Sequence, residues 1–332
     1  MITSIGLNPC IDTIIKVPSI TAGHYDIKSR RFAGGTAINV LHTLKRLQKY
    51  GFAEKDINII YSGFIDKNKL GNLITKNKYS TEYCVFIDGE SRTNYTLIPP
   101  DGNEMHLKSE GPTITRGEYT RYEETYSEIV EHSDVIIISG KLPKNAPDNY
   151  YNTLVQKANK RGILTAVDIR GELLRSMFRT KPFFIKCNLS ELSVLLNKKC
   201  IQTYNDLIEA EKIFKKMGVS LAVVSGGSEG IYIFYNGCFL AQCKLSEPIK
   251  TKNTTGAGDV ILTCFAILLD KVKRGAAKLN RKTIQECSVT AAAYASASTL
   301  TSNPAVFSIK DVEKLLGKVI IIKNFEENSL KL

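Results

Sequence analysis

Gly256-Ala257-Gly258-Asp259 is the run in this chain best suited to chemistry, and a long apolar segment, Val260–Leu269, follows it directly. A loop of glycine and alanine leaves backbone N–H groups uncovered. If it opens a helix, those N–H groups and the positive helix end point at one spot, which suits an anion. A carboxylate in the first turn then stands beside that anion and can take a proton from an attacking hydroxyl. Together these parts suit phosphoryl transfer, a reaction run mainly by positioning and charge. The same four residues also fit a plain helix start, with Thr254 or Thr255 as N-cap and an acid favoured by the dipole. The loop alone leaves both readings open.

A site of this kind needs a scaffold that brings other polar groups to the loop. Four short runs are apolar throughout: "DVIIISG" (134–140), "ILTAVDIRG" (163–171), "FFIKCN" (183–188) and "LAVVSGG" (221–227). Runs of this kind read as strands buried on both faces of a parallel sheet. Amphipathic stretches at 38–51, 146–162 and 203–218 lie between or before them, each ending at a glycine, and predict helices. Alternating strand and helix predicts a right-handed α/β array with helices on both faces. After residue 270 the chain reads as mainly helical, over 283–300 and 308–317. Ligands of open parallel sheets bind beyond the carboxyl ends of the strands. There the sequence places Gly140-Lys141, Ile169-Arg170-Gly171, Cys187-Asn188 and Gly226-Gly227. Two regions break the rhythm. Residues 13–33 and 92–108 alternate apolar with polar and carry turn signals, predicting half-exposed antiparallel strands in a small sheet over one edge of the main domain.

The 332 residues carry 45 Lys and Arg against 33 Asp and Glu, a net charge of +12. The basic residues are scattered, with no dense tract, zinc-finger spacing or RNA-binding aromatic motif, so small anions are expected as partners rather than nucleic acid. The eight cysteines form no CxxC pair and most sit in apolar runs, which suits reduced thiols in a cytoplasmic protein. The start "MITSIGLNPC" lacks a signal-peptide pattern. The apolar run 260–269 is about half the length of a membrane span, so no membrane association is expected.

Laid out in order, the motifs resemble the ribokinase/PfkB family of carbohydrate kinases. "NTTGAGD" (253–259) is similar to the family's C-terminal signature D/N-T-x-G-A-G-D, and "FAGGTAINVLHTLKRL" (32–47) to its N-terminal Gly-Gly signature. "GLNPCIDTIIKV", "SRTNYTL", "SGKLPKNAP", "VDIRGELL", "FIKCNLSEL" and "VVSGGSEGIYIF" resemble further motifs of its phosphosugar branch, which includes 1-phosphofructokinases and tagatose-6-phosphate kinases. The matches run in family order over nearly the whole chain.

The resemblance implies a ribokinase-like three-layer αβα domain over 1–325, its central sheet mainly parallel, with 13–33 and 92–108 as an inserted β-sheet lid that can serve dimerisation. Residues 326–332 are expected to fray. It implies Asp259 as base, with Gly256, Ala257 and Gly258 as the anion hole. Asp12, Gly34, Gly35 and Asn39 would hold the sugar, and Arg92 the substrate's existing phosphate. Lys186, Asn188, Ser225, Gly227 and Gly230 would face ATP, and Glu191 would help hold Mg²⁺ through water. Read from its position alone, Glu191 also fits an ordinary first-turn acid. The adenine wall would come from residues 290–303.

The pattern departs in places that concern the substrate. "GGTAIN" stands where the branch reads G-G-K-G-I-N, so Thr36 replaces a lysine and Ala37 a glycine. Lys141 and Arg170 stand where serines are typical, Cys187 replaces Pro, and Val260 replaces a common Ser. Arg30, Arg31, Lys28 or Lys141 is expected to stand in for the lost lysine, and Lys141 and Arg170, both on the rim, to rebuild a phosphate pocket. The expected reaction is ATP-dependent phosphorylation of a sugar, first fructose 1-phosphate to the 1,6-bisphosphate. Tagatose 6-phosphate, or a non-phosphorylated sugar or nucleoside, is the alternative acceptor. A non-catalytic sugar- or nucleotide-binding regulator is the alternative of another class.

Overall fold

A computed structural model describes residues 1–21, 23–100, 104–201 and 203–323. The expectation for 326–332 therefore lies outside the described residues. In chain order the first half contains β1 (Ile2–Ile5), β2 (Cys10–Lys16), β3 (Lys28–Gly34), α1 (Thr36–Lys49), β4 (Ile59–Asp66), α2 (Asn72–Lys76), β5 (Cys84–Ile87), β6 (Arg92–Ile98), β7 (Met105–Lys108), α3 (Arg116–His132), β8 (Val135–Ser139), α4 (Tyr150–Lys160) and β9 (Leu164–Asp168). The second half contains α5 (Glu172–Ser176), β10 (Phe184–Asn188), α6 (Leu189–Leu195), α7 (Tyr204–Met217), β11 (Leu221–Ser225), β12 (Ile231–Tyr235), β13 (Cys238–Leu245), α8 (Ala257–Lys273), α9 (Arg281–Ser298), α10 (Ile309–Leu316) and β14 (Val319–Ile322).

A ten-stranded sheet runs in the order β14-β13-β12-β11-β10-β9-β8-β1-β4-β5. It is parallel from β5 through β11 and antiparallel beyond. Successive residues of each central strand enter opposite cores, because side chains alternate across a sheet. Val135 and Ile137 of β8 join the core under α1, α8, α9 and α10, while Ile136 and Ile138 join the core under α3, α4 and α7. This alternation produces three layers and explains why the strands read as unbroken apolar runs. The chain leaves β1 for β4 on one side and later adds β8 on the other, so the strand order reverses there. A crevice opens at such a reversal, at the carboxyl ends of the strands.

α8 is buried from Asp259 to Asp270 without interruption. It lies in the core shared with α1 and α9, and this accounts for apolar residues all around it. Packing from Asp259 onward anchors the helix, while Gly256, Ala257 and Gly258 ahead of it are only half-buried and open to the cleft.

β3, β2, β6 and β7 form a separate four-stranded sheet in that order. Both predicted strand regions are present, and each makes an antiparallel pair: β2 with β3, and β6 with β7. The sheet departs from expectation in two ways. It starts at Cys10 rather than 13, and β2 and β6 join it in parallel. A long excursion through α1, β4 and β5 separates β2 from β6, and long crossovers of this kind permit parallel neighbours. β14 is a further difference. Its four residues, Val319–Ile322, follow helix α10 and close one edge of the large sheet, where the sequence reads only as the end of a helical region.

Candidate active site

A cleft of about 770 Å³ lies between the carboxyl ends of the parallel strands and the four-stranded sheet. Every residue singled out from the sequence lines it except Glu191.

Asp259 sits in the first turn of α8 and is only 8% exposed. Asn39, on α1, donates its Nδ2–H to Asp259 Oδ2 at 2.6 Å. Burial drives the Asp259 carboxyl up to about 6, and the nearby Asp168 carboxylate adds to the rise. The hydrogen bonds from Asn39 and Thr36 and the charge of Lys186 pull the other way. A carboxyl group near 6 is a better proton acceptor than an exposed one and is still ionised at neutral pH.

Gly256 caps α8 with φ of 84°, a left-handed conformation that suits glycine. A Cβ there would also press on the backbone N of Ala305 at 2.6 Å. The N–H of Ala257 turns back to the Thr254 carbonyl at 3.3 Å, and that of Val260 is bonded to the Gly256 carbonyl at 3.1 Å. Gly258 and Asp259 lie between, and their N–H groups are those that a helix start leaves for a ligand. Gly258 belongs to the expected anion hole, and the Asp259 N–H stands next to it. Lys186, on β10, lies over the same loop, since a Cβ on Gly258 would come within 2.5 Å of its Nζ. Lys186 is buried and pairs with Asp168 at 3.2 Å. Burial alone would lower its pKa, but the carboxylates of Asp168, Asp259 and Glu191 outweigh this and hold it raised, hence charged. A buried ammonium so held is a fixed positive charge at the mouth of the helix.

On the opposite wall, Asp12 of β2 faces Asn94 of the parallel strand β6, and Cys10 faces Arg92. Asn94 Nδ2 donates to Asp12 Oδ1 at 2.9 Å, and the Cys10 thiol donates to the same oxygen at 3.4 Å. Arg92 is steadied by the Asn8 carbonyl, which accepts from its Nε at 3.0 Å, and by Asn94 Oδ1 at 3.3 Å. Gly34, across from Cys10 on β3, leaves room for Asp12, whose carboxylate would overlap any Cβ there. Lys141, beyond β8, is exposed on the rim.

Asn188, Ser225, Gly227 and Gly230 line the far end of the cleft, with Ala292, Ala295, Ser296 and Thr299 of α9 and the adjoining turn. These last residues fall within the stretch expected to form a nucleotide wall. Their spacing of three and four, with small side chains, was the available signal. Asp168 was missed: it closes a run read as a buried strand, and only the pairing of β9 with β10 brings it to Lys186. Glu191 lies behind the cleft wall. Its Oε2 accepts the Asn188 N–H at 2.9 Å, Asn188 Oδ1 accepts the Glu191 N–H at 2.8 Å, and Arg170 Nε pairs with Oε1 at 3.0 Å.

Among the described residues no three His, Cys, Asp or Glu side chains gather to hold a metal ion. A cation that arrives with phosphates needs few protein ligands, because Mg²⁺ keeps much of its water, and Glu191 is the acid that the resemblance assigns to it. Among the described residues no helix is long and apolar enough to cross a membrane.

If Asp259 accepts the proton, kcat falls as pH drops through about 6, because below that value the carboxyl group is protonated. Asp168→Asn removes a charge that raises this value and frees Lys186, so the midpoint of the acid limb moves to lower pH. A pH–rate profile of both proteins checks this, and a midpoint unmoved or shifted upward contradicts it.

A profile described as pfkB family carbohydrate kinase matches residues 2–310. The chain is 32% identical over 269 residues to a tagatose-6-phosphate kinase of Staphylococcus epidermidis, covering 78% of this chain and 82% of that protein. It is 27% identical over 325 residues to a 1-phosphofructokinase of Borreliella burgdorferi, covering 96% and 97%. Among solved structures, phosphofructokinase-2 of Escherichia coli in complex with fructose-6-phosphate superposes with a TM-score of 0.77 at 22% identity, covering 96% of this chain and 98% of that one. Arabidopsis thaliana ribokinase complexed with ribose and ATP superposes with a TM-score of 0.71 at 19% identity, covering 95% and 98%, so the fold is ribokinase-like.

Proposed function

The chain belongs to the pfkB family of carbohydrate kinases, and from that premise we propose that it transfers the γ-phosphoryl group of ATP to a hydroxyl of a phosphorylated ketohexose, first fructose 1-phosphate. The observation that carries this reading is the facing arrangement in one cleft. A buried carboxylate at a helix start stands on one wall, and Asp12, Asn94 and Arg92 form a linked row on the other.

In this reading Asp12 and Asn94 grip sugar hydroxyls, Gly34 and Gly35 let the ring approach the backbone, and Asn39 adds its side-chain amide. Arg92 and Lys141 hold the phosphate already present. Arg92 suits this because a guanidinium meets phosphate as a fork. Asp259 takes the proton of the attacking hydroxyl as the new O–P bond forms and the bond to the β-phosphate oxygen breaks, releasing ADP. The N–H groups at the start of α8 and the ammonium of Lys186 face the charge that gathers on the moving group. Asn188, Ser225, Gly227 and Gly230 line the nucleotide. Glu191 would reach Mg²⁺ through water, and the ion, carried by the nucleotide phosphates, would supply charge neutralisation there. The four-stranded sheet acts as a lid that keeps water from ATP. Its Tyr95, Met105 and Leu107, 39%, 39% and 49% exposed, suit a homodimer face. Eight unpaired cysteines accord with a cytoplasmic setting.

Tagatose 6-phosphate is the second reading, favoured by the 32% identity to a kinase named for it. ADP release across a panel of sugars decides. Turnover is expected to be highest with fructose 1-phosphate and far lower with neutral ketohexoses. Best turnover on a neutral sugar or a nucleoside overturns the phosphosugar reading. No turnover at all, with a sugar that still raises Tm, makes the protein a regulator.

A further inference from the structure

Both carboxylate oxygens of Glu191 already have a partner. One oxygen is tied to the Asn188 N–H, and the other is paired with Arg170. The pair is lopsided: the Glu191 side chain is 8% exposed and that of Arg170 70%. The carboxylate is therefore fixed by its capping role, whereas the guanidinium approaches it from the solvent side. Arg170 also lines the cleft itself. It follows β9 at a position where the motif this chain resembles carries a serine, so the cation is an addition to the pattern.

The charge balance gives Arg170 a consequence. Three carboxylates (Asp168, Glu191 and Asp259) share this region with one buried ammonium, Lys186. Without Arg170 the group would carry an uncompensated double negative charge, an attractive place for a divalent cation. Arg170 halves that net charge and sits on Glu191 Oε1, the oxygen not bonded to the Asn188 N–H. Moving a guanidinium from a buried carboxylate costs more than displacing water, so a free cation competes poorly there. A cation bound to a nucleotide arrives with phosphates that give Arg170 a new anionic partner.

We propose that Arg170 acts as a positioning residue that holds the cation site at Glu191 closed to free divalent ions and yields it only to a metal–nucleotide complex. This rests on the reading of Glu191 as the water-mediated metal contact. The order of events follows from it: the metal enters with the nucleotide, and Arg170 moves from carboxylate to phosphate as it does so.

The test is a titration of the full-length protein with Mn²⁺ in the absence of nucleotide, read by the loss of the free ion's electron paramagnetic resonance signal. Arg170→Ser is expected to bind Mn²⁺ about tenfold more tightly than wild type, since one nearby positive charge at partly screened distance is removed. Arg170→Lys, which keeps a charge, stays near wild type. The double variant Arg170→Ser/Glu191→Gln loses the gain, and glutamine keeps the helix cap intact. If Arg170→Ser binds no more tightly than wild type while Glu191→Gln weakens Mn²⁺ binding, the closing role is wrong and Glu191 remains the contact. If the gain persists in the double variant, the cation is not at Glu191 and both readings fall. No measurable binding to Arg170→Ser likewise overturns the closing role.

Discussion

Asp259→Asn is expected to lower kcat by about 10³-fold while leaving KM for sugar and ATP nearly unchanged. Asparagine has almost the same shape and can still accept the hydrogen bond from Asn39, but it cannot take a proton. The same substitution is expected to stabilise the fold at neutral pH. The folded Asp259 carboxyl is raised from 3.8 to about 6, so ionising it in place disfavours folding. Two pH units correspond to about 3 kcal/mol as an upper value, or a rise in Tm of a few degrees for a chain of this size. A group raised on folding contributes stability while protonated and loses it as pH rises through the folded value. The gap in Tm between variant and wild type should therefore open between pH 4 and 6 and stay constant above. Steady-state kinetics and thermal melts over pH 4–8 measure both effects. A variant with near wild-type kcat removes Asp259 as the base. A Tm gap that closes rather than opens with rising pH contradicts the burial argument.

The second large effect is expected at Arg92. Arg92→Ala should raise KM for a phosphorylated sugar about 10²-fold, the scale of losing charge-assisted hydrogen bonds to a dianion. KM for the corresponding neutral sugar should change little. The contrast matters because Arg92 also ties Asn8 to Asn94, so general damage to the sheet would raise both values together. Arg92→Lys should fall between, keeping charge and losing the fork. Equal losses on phosphorylated and neutral sugars would show that Arg92 is a strut and not a phosphate ligand.

Four strands of the large sheet, β8 to β11, were legible because they are buried on both faces and leave no polar interruption to confuse the period, whereas β1, β4, β5, β12 and β13 were not read from the sequence. α1, α4, α7, α9 and α10 were legible from their periodicity, and Gly218, a left-handed C-cap with φ of 67°, marks the end of α7 as expected; α3, Arg116–His132, was not read although it is 17 residues long. β14 was not legible. Four apolar residues after a helix carry no period of their own, and only pairing with β13 makes them a strand. The same limit hid the parallel join of β2 and β6, since register between distant segments leaves no local trace.

The site divided in a similar way. Asp259, Asp12, Asn39 and Arg92 stand in short motifs whose residue types betray a task. Asp168 and the Arg170–Glu191 pair depend on which strands are neighbours and on where a long side chain turns. Sequence names Arg170 only as a departure; its engagement with a capping acid is a property of the folded chain.

β2 and β6 lie side by side in parallel, so Asp12, Asn94 and Arg92 belong to one small piece of architecture, whereas Asp259 and its loop are embedded in another. Selection could then redraw which acceptor is held by altering strands at the periphery and leave the buried machinery of transfer undisturbed. Drift in preference and constancy of reaction would be the natural history of a protein assembled this way.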